Sequence, residues 1–405
     1  MPNPTLRTRR GVTRRTVVRR LAAASATGLA MPFVQAAQPV VRIAYAIARS
    51  GPWAGGAQVS QEPNYLLWSE QLNAAGGLSV RGKRRRIELI GHDDHSDIDT
   101  SLRLYQKLMG GDKVDLILPP WGSNANFALA PVANRYGYPL LAPTALSRKL
   151  VDMSLPYFFS VLQQPDKMMG ALLDMLVAEG AKSIAIMYMD DLFGLENFSA
   201  LNLALKKTSL QVLDRKNYPL GTKDLSAMLR GFKQLNPDAF IGITYPPDTI
   251  LASKQAREIG FNPHFFYTSV GTAFELYRNV MQGGAEGVIG MGSWNAKTSP
   301  QAKAYFDAHV ARFHKEPDRW ASGHAWAGLQ ILQQAVERVG LDRKALRDQI
   351  AKNSFDTILG PVRFEGSENA SVPGTVGQWQ RNEFEVVWPP QRATAQLVAP
   401  KPPWA

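Results

Sequence analysis

VRIAYAIARSGPWAGG, residues 41–56, decides the fold class. Val41, Ile43, Tyr45 and Ile47 alternate with smaller or polar residues, the period-two pattern of a strand. Ser50-Gly51-Pro52-Trp53-Ala54-Gly55-Gly56 follows as a glycine-rich loop. A helix is then expected to run to about Ala75, with Tyr65, Trp68 and Leu72 on one face and Gly76-Gly77 ending it. The next strand is Ile87–Ile90, with acids directly after it. This is one strand–loop–helix–strand unit.

The unit recurs along the chain. Short apolar runs at 114–118, 139–142, 184–189, 239–244, 264–268 and 286–291 read as strands. Helical patterns separate them at about 100–109, 124–135, 166–179, 196–207, 223–235, 248–259 and 272–281. Such alternation predicts parallel sheets covered by helices on both faces. From 300 to 352 the chain reads as mostly helical, with Phe306, Val310 and Phe313 on one helix and Leu329, Leu332 and Val336 on the next. The remainder, from Leu359, reads as short strands and an extended tail.

Upstream of the first strand, residues 13–37 carry the pair Arg14-Arg15, an apolar run from Leu21 to about Phe33, and small residues at Val34-Gln35-Ala36. Basic region, apolar region and cleavage site in that order predict a twin-arginine export signal, cut near Ala36. Residues 1–36 hold seven arginines and no acid, so the net charge of +12 falls to +5 in the mature chain. That gives little support to nucleic-acid binding. Lys83-Arg84-Arg85-Arg86 is the remaining basic cluster and is expected to be a solvated turn. The chain has no cysteine, which excludes disulfides, thiolate metal sites, a cysteine nucleophile and a lipidated cysteine at the cleavage site. A free periplasmic protein is expected, and its length implies two lobes.

Hydrolase elbows, phosphate loops and zinc-protease helices have no counterpart in the sequence. His92-Asp93-Asp94-His95-Ser96-Asp97 holds metal-binding residue types, but four successive loop residues rarely converge on one ion. A polar strand end is expected instead, with Asp97 or Asp99 capping the next helix. Asp190-Asp191 is read in the same way, as a helix cap plus a solvated acid. No metal or cofactor is expected. Ligands of open parallel sheets bind beyond the carboxyl ends of the strands. Trp53, Trp121, Ser123, Asn124, Phe193, Tyr245, Tyr267, Ser269 and Trp294 all fall in such loops. Aromatic walls with a few fixed polar groups describe a small-molecule pocket.

Several segments carry a resemblance. These are Gly51-Pro52, Asn73-Ala74-Ala75-Gly76-Gly77-Leu78, Gly122-Ser123, Asp190 to Gly194, Tyr245-Pro246, Gly360-Pro361-Val362-x-Phe364 and Val387-Trp388-Pro389. In this order the chain, from about 40 to 400, resembles the periplasmic solute-binding proteins of ABC importers, of the branched-chain amino-acid binding family. The resemblance implies an α/β fold of two doubly wound parallel-sheet lobes joined by a three-segment hinge, the type I periplasmic binding protein. Crossing segments are expected near Phe158–Val161, Met291–Trp294 and Ile358–Val362. The lobes would be 37–158 with 293–358, and 159–292 with 359–405. No chemistry is implied; a monomer would close on its ligand and present it to an inner-membrane permease. A sensory protein of the same fold is the alternative, and an exported two-lobe hydrolase the remote one.

By the same resemblance, Ser123 and Thr144-Ala145 would hold a ligand carboxylate, although Leu146 stands where a threonine is common. Phe193 would cover the ligand, Tyr245 would line the other lobe, and Trp121 would be an apolar wall. Amino-acid binders of the family place an acid after the strand at 264–268 to hold the ammonium. Here that segment is Phe265-Phe266-Tyr267-Thr268-Ser269-Val270-Gly271, and Glu275 lies too far along the next helix. A flatter, more apolar acid is therefore expected as ligand, since an unpaired buried ammonium costs several kcal/mol.

Overall fold

The computed structural model describes residues 40–405. The export signal expected in residues 1–36 lies outside the described residues. Among the described residues no helix is long and apolar enough to cross a membrane.

The chain opens with β1 (Val41–Ile47), α1 (Ala54–Ser60) and α2 (Glu62–Ala74). A hairpin of β2 (Leu78–Val80) and β3 (Lys83–Arg85) follows, then β4 (Ile87–Asp93), α3 (Ile98–Gln106), β5 (Leu116–Ile117), α4 (Ser123–Tyr136) and β6 (Leu140–Ala142). The basic cluster thus forms an exposed strand rather than only a turn. After α5 (Arg148–Asp152) and β7 (Phe158–Ser160) come α6 (Pro165–Ala178), β8 (Ser183–Met189), α7 (Leu192–Leu205), β9 (Gln211–Tyr218) and α8 (Ser226–Leu235). The series continues with β10 (Ala239–Ile243), α9 (Pro246–Glu258), β11 (Phe265–Thr268), α10 (Glu275–Met281) and β12 (Ile289–Met291). Helices α11 (Pro300–Phe313), α12 (Ala321–Val339) and α13 (Arg343–Lys352) precede five short strands. These are β13 (Ser354–Thr357), β14 (Gly360–Glu365), β15 (Glu368–Asn369), β16 (Val376–Gln380) and β17 (Glu383–Trp388).

Two α/β halves result. One is built on the parallel sheet β4-β1-β5 and the neighbouring strands β6 and β7; the other is a seven-stranded sheet, β17-β16-β12-β11-β10-β8-β9. In the large sheet β12 to β9 run parallel, with Ile241 paired to both Ile186 and Tyr267. Its central strands are buried on both faces, which is why 239–243 and 265–268 read as unbroken apolar runs. The strands β14 and β15 lie alongside β7. Ser160 N donates to Ser367 O at 2.7 Å, and Asn369 Nδ2 to Val161 O at 2.8 Å. The chain joins the large sheet again at Val376.

Three elements differ from expectation. The edge strand β9 carries Asp214, Arg215, Lys216 and Asn217, so it shows no apolar run. The helix expected to follow the Ser50–Gly56 loop and run to about Ala75 starts inside that loop, at Ala54, and breaks at Gln61, with φ −129° and ψ −57°. Pro63 enforces this break, because it lacks an N–H and its ring excludes a continuous turn behind it. In α11 the buried stripe is Ala302, Tyr305 and His309. Phe306 is only half-buried and carries the Arg319 guanidinium 4.5 Å above its ring.

Candidate functional site

The broken helix aims Gln61 inward. Its side chain is fully buried, and Nε2 lies 2.7 Å from Tyr65 Oη, 2.8 Å from Pro119 O and 3.1 Å from Pro120 O. Its Oε1 accepts from Thr144 Oγ1 at 2.8 Å, and that hydroxyl accepts from Gly122 N at 3.1 Å. One amide therefore ties the α1–α2 junction, the loop after β5 and the loop after β6 together. Trp121 stands on this platform. Its Nε1 donates to Ser60 Oγ at 2.9 Å, and the ring lies over Gly56, where a Cβ would come within 2.2 Å of Trp121 Cζ2. Only glycine at 56 leaves room for the indole.

Helix α4 begins at Ser123 after Gly122, whose φ of 90° suits glycine. The first N–H groups of a helix have no intrahelical acceptor and carry its positive dipole end. Ser123 Oγ accepts from Leu146 N at 3.0 Å, which fixes the loop after β6 against the helix start.

The opposite wall comes from the large-sheet half. Tyr245 precedes α9 and Phe193 opens α7; their rings stack at 5.0 Å. Trp121 meets Tyr245 at 5.8 Å across the cleft. Asp191 Oδ1 caps α7 by accepting from Gly194 N at 2.9 Å, as the sequence suggested. Its Oδ2 also accepts from Tyr245 Oη at 2.8 Å and Asn124 Nδ2 at 2.9 Å. The Asn124–Asp191 bond thus joins α4 to α7. Burial first, and the Asp191 charge second, push the Tyr245 hydroxyl well above its ordinary range.

Trp53, Trp121, Gly122, Ser123, Asn124, Ala125 and Tyr245 bound one narrow cleft, too tight for a water-sized body. Trp53 and Tyr245 also wall a cavity of about 330 Å³ that reaches Asp248 and Leu251.

Of the residues expected at the site, Trp53, Trp121, Ser123, Asn124, Phe193 and Tyr245 come together. Thr144 lies behind them, bonded to Gln61 and Gly122. Ala145 is buried, its carbonyl 3.4 Å from Ser160 Oγ. Ser269 Oγ is used by the backbone of Thr244, accepting from its N–H at 2.8 Å and donating to its carbonyl at 2.9 Å. Trp294 packs on Tyr305 at 5.2 Å and over Gly323, and is not among the residues that bound the cleft. Gln61, Asp191 and Asp248 enter the site although sequence reasoning did not place them there. A glutamine before Glu62-Pro63 in an amphipathic helix was the available signal for the first.

The 92–97 segment is tied to its own loop. Asp93 accepts from Arg49 N at 2.9 Å, Ser50 Oγ at 2.8 Å and His95 N at 2.8 Å. Burial works to raise its pKa, but these bonds outweigh it and bring it down to about 2. Asp97 caps α3 through Thr100 N at 2.7 Å. Among the described residues no group of three or more His, Asp or Glu is disposed to hold a metal.

Two α/β halves facing each other across an aromatic cleft, with a helix start at its end, define a protein that clasps a small solute. The chain belongs to the periplasmic binding protein family, whose model matches residues 40–383. Leu/Ile/Val-binding protein homolog 7 of Brucella suis is 23% identical over 358 residues, covering 82% of this chain and 87% of the relative. Among solved structures, the branched-chain amino acid transporter substrate binding protein of Streptococcus pneumoniae, in complex with isoleucine, superposes with a TM-score of 0.75 at 20% identity. It covers 89% of this chain and 100% of its own. An R. palustris ABC-transporter solute binding protein in complex with benzoate gives 0.77 at 17% identity, covering 89% and 98%. A Rhodopseudomonas palustris BisB5 solute binding protein, in complex with 3,4-dihydroxy benzoic acid, gives 0.72 at 18% identity, covering 85% and 95%. At these identities the likeness is one of fold. Family and fold are those of periplasmic binding proteins, not of enzymes.

Proposed function

We propose that this chain is the periplasmic solute-capturing subunit of an ABC importer, and that its ligand is a small carboxylic acid with a flat, apolar body. The observation that carries this reading is the start of α4. Ser123 and Asn124 open a 14-residue helix directly onto the rings of Trp53, Trp121 and Tyr245. A helix start attracts a carboxylate, and three aromatic rings favour an apolar plate beside it. Phe193 backs Tyr245, while Thr144 and Ala145 shape the loop behind the carboxylate. Ser269 and Trp294 would reach the ligand only if the walls rearrange on binding.

The lobes we take as 37–158 with 293–358, and 159–292 with 359–405, with β7 and the ribbon β14–β15 side by side at the hinge. The Asn124–Asp191 bond and the Trp121–Tyr245 contact favour the closed arrangement. A ligand that bridges the same walls shifts the population further toward it. A monomer exported through the twin-arginine signal would then meet its permease closed and loaded.

A second reading rests on Asp191, whose carboxylate stands at the cleft and offers a counter-charge to an ammonium group. It favours an amino-acid-like ligand. Calorimetry separates the two. Benzoate-type acids should bind the mature protein with leucine inert. Tight binding of leucine or valine, abolished by Asp191→Asn, would refute the first reading and establish the second.

A further inference from the structure

The 330 Å³ cavity beyond Trp53 and Tyr245 lies within the range of small-ligand pockets and is larger than the cavities known to hold a benzene ring. It shares Trp53 and Tyr245 with the cleft at the start of α4, so the same two rings wall both spaces. Its walls are largely apolar, from Pro52, Leu220 and Leu251. Thr222, Lys223 and Asp248 are its polar members, and of these Asp248, the third residue of α9, is the buried one, only 6% exposed. Its carboxyl reaches back toward the N–H of Tyr245, as acids at this helix position do. That interaction occupies part of its acceptor capacity and leaves the rest for the cavity.

Among the described residues only the Tyr218 hydroxyl stands beside that remaining capacity. Among the described residues no cation lies within ion-pair distance of Asp248, and Lys223 at the cavity rim is exposed. The Tyr218 hydroxyl is buried and lies close enough to the Asp248 carboxyl to interact with it, but it falls short of full hydrogen-bond geometry there or to any other described group. Trp53 Nε1 is likewise buried without a partner. Polar groups buried in this way are normally satisfied, and those that are not call for an explanation. A buried carboxyl and an indole on an open cavity, with a buried phenol behind the carboxyl, are explained in a protein that encloses solutes by a partner that arrives with the solute.

We propose that this cavity is the distal half of the ligand site, and that Asp248, with Tyr218, accepts a hydrogen-bond donor carried on the ligand's aromatic body opposite its carboxylate. The donor is a phenolic hydroxyl or an amine. This rests on the reading of the α4 start as the carboxylate site. Together they make the ligand a two-headed aromatic acid, held by a helix start at one end and a carboxyl at the other. Asp248 follows β10, not the strand at 265–268, and so is independent of the acid that is missing there.

The test is calorimetry on the mature protein with three probes of matched shape: 4-hydroxybenzoate, 4-aminobenzoate and 4-methylbenzoate. The hydroxyl or amine compound should bind at least tenfold more tightly than the methyl compound. In Asp248→Ala that ratio should fall to about one. In Tyr218→Phe, which keeps the ring, it should fall severalfold, with circular dichroism confirming the fold of both variants. Equal binding of donor and methyl compounds to the wild type, or a ratio unchanged in Asp248→Ala, overturns this inference and leaves the carboxylate reading standing. Failure of all three acids to bind overturns both.

Discussion

Asp248 also sets how stability responds to pH. Burial, the largest influence on it, pushes its pKa from the ordinary 3.8 up to about 6. Such a rise corresponds to about 3 kcal/mol. The unfolded chain loses this proton near pH 4 while the native state retains it until about 6, so between these values the native state binds more protons. Stability therefore falls as pH rises through that window: the contribution is full below 4 and gone above 6. Asn at 248 keeps an acceptor for the Tyr245 N–H and never ionises. Relative to the wild type, Asp248→Asn should gain up to about 3 kcal/mol on going from pH 4 to pH 7. Urea unfolding of the ligand-free protein, followed by tryptophan fluorescence, reads this as a midpoint gap that shifts by up to about 1 M. A gap that stays constant with pH, or that grows as pH falls, would mean that Asp248 is not held in an apolar, unpaired setting. The reasoning on its cavity would lose its support.

Three further perturbations probe the platform and the closure. Gln61→Leu keeps the volume but strips the amide from Thr144, Tyr65 and the prolyl carbonyls; it should cost roughly 2–4 kcal/mol by chemical unfolding and weaken ligand binding at least tenfold. Gly56→Val drives a side chain into the Trp121 ring, so ligand binding should vanish in calorimetry while hydrogen exchange in the large sheet stays slow; retained binding would show that Trp121 is not a wall of the site. Asn124→Ala and Asp191→Ala, singly and together, should show a coupling of about 1–2 kcal/mol in ligand affinity, and each should enlarge the radius of gyration of the ligand-free protein in X-ray scattering; additive effects would deny the bond a role in closure.

The fold was legible because its central strands are buried on both faces. Runs such as Ala239–Ile243 and Phe265–Thr268 leave no other reading once helical patterns separate them. What failed to show were elements whose residues answer to something other than core burial. The edge strand Gln211–Tyr218 is polar because it meets water, and Gln61 interrupts a helix because a proline follows and three loops need its amide. The site was half legible for a related reason. A polar residue at a strand end can serve the backbone or a ligand, and its type does not say which. Ser269 and Thr144 have the right chemistry, yet Thr244 and Gln61 already occupy them. Asp191 passed for a helix cap, which it is, but a carboxylate has capacity beyond one cap, and Asn124 and Tyr245 take it. Asp248 repeats that logic with one difference. After the helix has taken its share, its carboxyl has the Tyr218 hydroxyl beside it and a cavity in front, and an acceptor on a cavity is the feature that distinguishes a binding residue from a structural one.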